Sequence, residues 1–368
     1  MGILSLSLVV LLLFQDFVLI LLLKDNFKRY KTGNLPSYPR VSILIPSRNE
    51  ANNLPGCLSS LEKLSYPSDK IQFILGDDHS TDATKSILEA WVKTMPNAAF
   101  ISIQPNPKPE NQLNGKANAL AQMGAMANGE VLLFTDADCL VPEGWVEKMI
   151  EGLGPEVGIV TGITTIKGKS NFEKFQAFDW WLSLGMVKVL DDLGVSITAM
   201  GNNMLITREA YDKVGGFAGI PFSLTEDFEM ARSLKNIGYK GVHQISPENL
   251  IETKAQLDFS SLLEQRKRWM AGAFTLPVYW KVLLAIQVLF FPAILLVLWF
   301  FPVIGLVAWS VKIFLQSHFI HRFAVYAGEN LNYLDLLLFE IYYMITAWST
   351  IVYYFWPSKT DWKGRQYL

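Results

Sequence analysis

Residues 132–140 read LLFTDADCL, an apolar run that stops on two carboxylates, Asp136 and Asp138, one residue apart. A short apolar run bounded by polar residues predicts a strand buried on both faces. The acids at its end are either turn formers or part of a site, and a lone Asp-x-Asp is too weak a signal to choose. Its company decides, because the form recurs upstream. VSILIP (41–46) is a β-rich run followed by Arg48, Asn49 and Glu50, and FILGDDHSTD (73–82) carries Asp77, Asp78 and His79 after its apolar part. Helical spacing follows each: Leu54, Leu58, Leu61 and Leu64 after the first, ATKSILEAWVK after the second. AFISIQ reads as a third strand, QPNPKPEN as a Pro-rich loop, and GKANALAQMGAMA as a helix leading back to VLLFTDAD. Strands alternating with helices predict a mostly parallel sheet covered on both faces. Ligands of such sheets gather beyond the carboxyl ends of the strands, where all three polar clusters would share one edge.

The whole chain bounds this reading. Its 368 residues are 51% hydrophobic and 13% aromatic, enough for a large core and for membrane crossings. A net charge of -2 gives no reason to expect a nucleic-acid partner. The two cysteines, Cys57 and Cys139, lack metal-ligand spacing and imply neither a disulfide framework nor a zinc site, which suits a reducing, cytosol-facing domain. Internal repeats and low-complexity tracts are absent.

Ile3 to Leu23 is nearly unbroken apolar sequence, about 31 Å long as a helix, the thickness of a bilayer's hydrocarbon. A cleaved signal peptide is the alternative, but MGILS carries no basic side chain and no small-residue cleavage pattern follows. Asp16 within the span is expected to face another helix. Lys24, Lys28, Arg29, Lys31 and Arg40 follow, so by the positive-inside rule the next domain lies in the cytoplasm. From Val282 a 34-residue apolar stretch has natural breaks at Pro292 and Pro302, and LLLFEIYYMITAWSTIVYYFW gives one more crossing. The basic tail SKTDWKGRQYL prefers the cytoplasm, which needs an even number of late crossings, whereas a simple count gives three. The expected division is a membrane anchor with its basic segment at 1–30, a soluble domain at 31–280, and a membrane region of two or three helices at 281–368.

No GxxxxGK[ST] loop and no GxGxxG follow the first strand, which disfavours phosphate-loop and dinucleotide folds. The ordered set IPSRNE, GDDHSTD, GKANAL, FTDADC, LTEDFEMA and QRKRW, from Val41 to Trp280, instead resembles the membrane-bound glycosyltransferase family 2 enzymes. These include cellulose, chitin, hyaluronan and poly-N-acetylglucosamine synthases and their ceramide glucosyltransferase relatives. Q-x-x-R-W, here Gln265, Arg268 and Trp269, is the most diagnostic part.

The resemblance implies an α/β fold of the GT-A kind, Rossmann-like with a mostly parallel sheet, as a cytosolic domain flanked by transmembrane helices. It implies a nucleotide-sugar donor, UDP-linked by analogy, inversion at the anomeric carbon, Mg²⁺ or Mn²⁺, and a polysaccharide or lipid acceptor beside membrane lipids, with protein partners for export left open. Residue by residue, Glu50 and Asp78 match nucleoside contacts and Lys116 a position near the diphosphate. Asp136 and Asp138 match the acid pair, Asp138 being the expected metal ligand. Asp227 matches the catalytic base. Gln265, Arg268 and Trp269 match the element that closes over donor and acceptor, and Glu226 and Asn202 fall on the acceptor side.

Chemistry accounts for these residue types independently. Displacing a nucleoside diphosphate builds negative charge that a divalent cation, Lys116 and Arg268 would stabilise. An acceptor hydroxyl needs a carboxylate to take its proton, and Asp227 is the choice. Plainer readings stand beside each. Glu226 and Asp227 also suit the first turn of the helix FEMARSLKNIGY, and EQRKRW also suits a basic stripe against anionic headgroups. His79 and His243 lack ligand spacing, and Asp191 and Asp192 read as a solvated helix end. Phe172, Phe175, Phe178, Trp180 and Trp181 mark an amphipathic helix whose aromatics pack in a core or line an acceptor wall. A sugar nucleotidyltransferase would need neither TED, QRKRW nor spans, and a non-catalytic nucleotide sensor would not need every catalytic position filled.

Overall fold

Alternating β-rich and amphipathic segments do become alternating strands and helices in the computed structural model, which describes residues 1–30, 38–106, 113–195, 199–276, 278–357, 360–362 and 365–367. The chain begins with α1 (Gly2–Asp25), β1 (Val41–Ser47), α2 (Leu54–Leu61), β2 (Ile71–Asp77), α3 (Thr84–Thr94), β3 (Ala98–Ser102), α4 (Gly115–Met126) and β4 (Val131–Phe134). There follow α5 (Trp145–Ile150), β5 (Val157–Thr161), β6 (Ile163–Lys167), α6 (Asn171–Asp192), β7 (Met204–Thr207), α7 (Arg208–Lys213), α8 (Gly216–Gly219), α9 (Glu226–Asn236), β8 (Lys240–His243) and β9 (Leu250–Lys254). Last come α10 (Phe259–Ala273), α11 (Val278–Phe300), α12 (Pro302–Tyr326), α13 (Tyr333–Phe355) and a small hairpin, β10 (Thr360–Trp362) with β11 (Arg365–Tyr367). Residues 107–111 of the expected Pro-rich loop, Lys31, and the basic side chains of the tail lie outside the described residues.

The main sheet has seven strands in the order β3-β2-β1-β4-β7-β5-β8. Its left half is parallel, β7 runs antiparallel to both neighbours, and β5 and β8 are parallel. Ser47 pairs with Asp77 and Leu44 with Phe134, so β1, β2 and β4 finish on one edge, as the polar clusters required. Burial follows the two-residue period of a strand. Ile43, Ile45, Phe73, Leu75 and Leu133 pack one face with α2, α3 and α5. Leu44, Ile74, Leu132 and Phe134 pack the other with α4 and α7 to α9. Each side chain of this kind contributes about 1.5–3 kcal/mol when buried. A second sheet pairs β6 with β9 in parallel, and an antiparallel bridge between Leu140 and Glu252 ties it to the loop after β4.

Among the described residues, four helices, α1, the part of α11 from Trp280, α12 and α13, are long and apolar enough to cross a membrane. Asp16 does face another helix, accepting from Gln287 Nε2 at 3.5 Å. On α12, Lys312 pairs with Glu340 of α13, which also accepts from Trp309 Nε1 at 2.9 Å and Gln316 Nε2 at 3.1 Å. Two expectations are corrected. Pro292 does not break the apolar stretch but lies inside α11, since membrane helices tolerate proline when neighbours satisfy the freed backbone group; the break falls at Phe301, just before Pro302.

Asp191 and Asp192 are also not a solvated helix end but buried. Asp192 accepts from the Lys28 amide at 3.0 Å and Lys188 Nζ at 2.8 Å, and Asp191 accepts from the His243 amide at 2.9 Å. Lys188, 0% exposed, also donates to the carbonyls of Lys28 at 2.9 Å and His243 at 2.8 Å. The segment leaving α1 is thereby fastened to the end of α6. Lys188 and Asp192 are four residues apart on one helix, but Lys28 and His243 lie far along the chain, so spacing alone does not show the buried cluster.

Candidate active site

The ends of β1 and β2 are cross-tied. After β2, the Asp78 amide donates to the Ser47 carbonyl at 2.9 Å, and the Arg48 guanidinium donates to the Asp78 carbonyl at 2.7 Å. Asn49 and His79 turn the chain at φ 54° and 56°, a left-handed conformation that Asn and His tolerate better than most residues. Glu50 then drops back under the edge, its amide donating to Thr84 Oγ1 at 2.7 Å and its carboxylate accepting from Asn53 Nδ2 at 2.5 Å. Glu50 and Asp78 are both buried.

The head of α4 gathers the next group. Asn114 caps it by accepting from the Ala117 amide at 2.7 Å and donates to Glu226 Oε2 at 3.0 Å. Lys116, in the first turn, sits 2.5 Å from Asp136 Oδ1 and 3.6 Å from Glu226 Oε1. Burial works against the Lys116 charge, but Asp136 and Glu226 outweigh it and hold the ammonium protonated above the ordinary lysine range.

Glu226 and Asp227 open α9, whose N-cap Thr225 makes no side-chain cap bond. The first-turn reading is therefore correct locally, but it does not exhaust Asp227. Its Oδ1 accepts from the Phe228 amide and its Oδ2 from the Gly201 amide, each at 2.8 Å. Burial first, then the neighbouring Glu226 charge, pushes the Asp227 carboxyl up to about 6, against the pull of Lys116.

Glu50, Asp78, Lys116, Asp136, Glu226 and Asp227 line one cavity of about 850 Å³, as do Asp138, Asn202, Gln265, Arg268 and Trp269. Asp78, Asp138 and Asp227, remote in sequence, face the same hollow. Trp180 of α6 meets Trp269 of α10 edge to face at 5.5 Å between centroids, and Arg266 pairs with Asp179, also on the wall. Phe175 and Phe178 take the packing alternative, against Phe339 of α13. Beyond Trp269 the wall continues through Leu276, Trp280 and Leu284 into α11. His243 is buried, Nδ1 2.8 Å from Thr161 Oγ1, and burial holds its imidazole down at about 3, a neutral structural group.

Among the described residues, no group of three or more His, Cys, Asp and Glu stands together as a metal cage. A cation arriving on a diphosphate does not need one: Mg²⁺ is commonly held by one or two carboxylates plus phosphate oxygens. Asp136 and Asp138 offer hard oxygen donors at the strand end and fit that mode. Asn114, Lys254 and the pairing of Arg266 with Asp179 escaped the sequence reading. Asn114 carried a signal, a cap residue directly before GKANAL; the others act through register and close approach, which spacing along the chain does not reveal.

A mannosyltransferase of Pyrobaculum calidifontis, solved with GDP-Man and Mn²⁺, shares this architecture with a TM-score of 0.59 and 17% identity over 96% of each chain. The fold is thus that of the GT-A glycosyltransferases. The pattern of glycosyl transferase family 21 matches residues 6–368, and the chain belongs to that family. Among curated relatives, the Bacillus subtilis protein named "Probable glycosyltransferase YdaM" is 28% identical over 73% of this chain and 64% of its own length. A poly-β-1,6-N-acetyl-D-glucosamine synthase of Staphylococcus epidermidis is 26% identical over 70% and 62%. The β-monoglucosyldiacylglycerol synthase of Synechocystis is 24% identical over 66% and 50%. The chain spans about half to two thirds of the length of these relatives.

Proposed function

We propose that this protein is an integral membrane, inverting glycosyltransferase that moves a sugar from a nucleotide-sugar donor to a lipid at the cytoplasmic face. Continuity of the cavity carries the reading: its lining joins the strand-end acids to Trp269, Leu276, Trp280 and Leu284, the last two on a helix apolar enough to span a bilayer. An acceptor whose apolar part stays in the membrane could present its hydroxyl there without leaving it.

Glu50 and Asp78 bind the nucleoside, while Lys116, Arg268, Asp136 and Asp138 face the diphosphate. Asp138 would hold Mg²⁺ or Mn²⁺, which would supply charge neutralisation to the leaving group. Asp227 takes the proton of the acceptor hydroxyl, a contribution of about 10² to 10⁴ in rate. Attack is direct, and configuration inverts because no second nucleophile forms a sugar-enzyme bond. Gln265 and Trp269 close the site over the donor, with Glu226 and Asn202 toward the acceptor. The division at 1–30, 31–280 and 281–368 places this chemistry in the middle segment, with Lys24, Lys28 and Arg29 keeping it in the cytoplasm.

Membranes containing the protein, incubated with a panel of radiolabelled UDP- and GDP-sugars with and without chelator, test the reading. One labelled lipid carrying a single sugar supports it. A ladder of polymer lengths replaces the lipid acceptor with a polysaccharide, and no transfer from any donor overturns it.

A further inference from the structure

Lys254 ends β9 in IETKAQ, a context with no motif. Its ammonium lies 3.4 Å from Glu50 Oε2 and 3.7 Å from Asp138 Oδ2. The register of the backbone explains the meeting. Leu140 and Glu252 exchange both amide hydrogen bonds, at 2.8 and 3.0 Å, in an antiparallel bridge. Asp138, in the turn two residues before Leu140, and Lys254, two residues after Glu252, are so brought close together. Carboxylates from two different strand ends thereby converge on one lysine at the wall of the cavity.

The two lysines of the site are held differently. Lys116 is enclosed between Asp136 and Glu226, its side chain 13% exposed, whereas the Lys254 side chain is 48% exposed and its contacts are longer. A half-exposed ammonium on a flexible four-carbon stem can change partners at little cost.

We propose that Lys254 is the exchangeable counter-charge of the donor site, a role that rests on the donor-site reading given above. It neutralises Glu50 and Asp138 in the ligand-free protein and moves to a phosphate oxygen when a nucleoside diphosphate brings a divalent cation to Asp138. Lysine and cation therefore compete for the same carboxylate, and the lysine becomes a diphosphate ligand only after losing that competition.

The test uses the full chain in detergent micelles, as wild type, Lys254→Gln and Lys254→Arg. Mn²⁺ affinity is read without nucleotide from the electron paramagnetic resonance signal of free Mn²⁺, and UDP and GDP affinity by calorimetry at saturating Mn²⁺. Lys254→Gln is expected to bind Mn²⁺ about two- to five-fold more tightly and the nucleotide several-fold more weakly, with Lys254→Arg close to wild type. Unchanged or weaker Mn²⁺ binding by Lys254→Gln, whatever the nucleotide does, overturns the exchange. A wild type that binds neither nucleotide is a different result: it removes the donor site itself, and this role with it.

Discussion

Gly201 donates its backbone amide to Asp227 Oδ2 at 2.8 Å, joining the loop before β7 to the head of α9. The bond aims one carboxylate at the cavity and leaves no room on the glycine: a Cβ there would stand 2.9 Å from the same oxygen. Asp227 is thus placed by backbone geometry and tuned by burial.

Asp227→Asn keeps the shape of the side chain and removes its basicity. Transfer should fall by about 10² to 10⁴, while calorimetric affinity for the nucleotide stays near wild type. Near-normal turnover would take Asp227 out of the mechanism.

The acid limb of the pH–rate profile should report the same group. A base must be deprotonated, so kcat/KM, which reports the free enzyme, is expected to rise with pH through about 6 and then level. Because the Glu226 charge helps raise Asp227, Glu226→Gln should move that limb to lower pH. A limb that stays in place in this variant assigns it to another group.

Gly201→Ala forces Asp227 or the loop aside. Turnover should drop about 10- to 100-fold with little change in donor KM and an unaltered thermal transition. Loss of donor affinity in step with turnover would instead mean that the whole cavity had deformed.

Asp138→Ala should weaken nucleotide binding in Mn²⁺ and abolish the difference that chelator makes in the wild type. A metal response of unchanged size would refute Asp138 as a ligand.

Lys188→Met leaves Asp192 buried without its ammonium. Removing one partner of a buried pair costs about 3–5 kcal/mol, so urea or thermal unfolding in micelles should show a large loss, and Lys188→Met/Asp192→Asn should recover part of it. Equal stability of wild type and single variant would show the latch to be inert.

Much of the sheet is legible in the sequence, because VSILIP, FILGD and VLLF each carry their burial in their composition and their polar residues at one end. The carboxylates at those ends could be foreseen to meet once parallel pairing was assumed. Lys254 could not, since its place depends on an antiparallel bridge between segments more than a hundred residues apart. Asp191 and Asp192 misled for a related reason: two adjacent acids look solvated until the lysines that cover them, one of them across 164 positions, are known. Pro292 misled because rules for proline in water do not carry over to helices packed in lipid.

The pairing of Asp16 with Gln287 spans 271 positions and has a consequence for biosynthesis. At roughly 5–20 residues per second, α1 leaves the ribosome tens of seconds before the helix that accommodates its acid has been made. Over that interval the seven-stranded sheet and its helices emerge and can fold with α1 as their one apolar anchor. Insertion of α11 then supplies the part of the cavity lined by Trp280 and Leu284, so the complete cavity is expected only once that helix is in place.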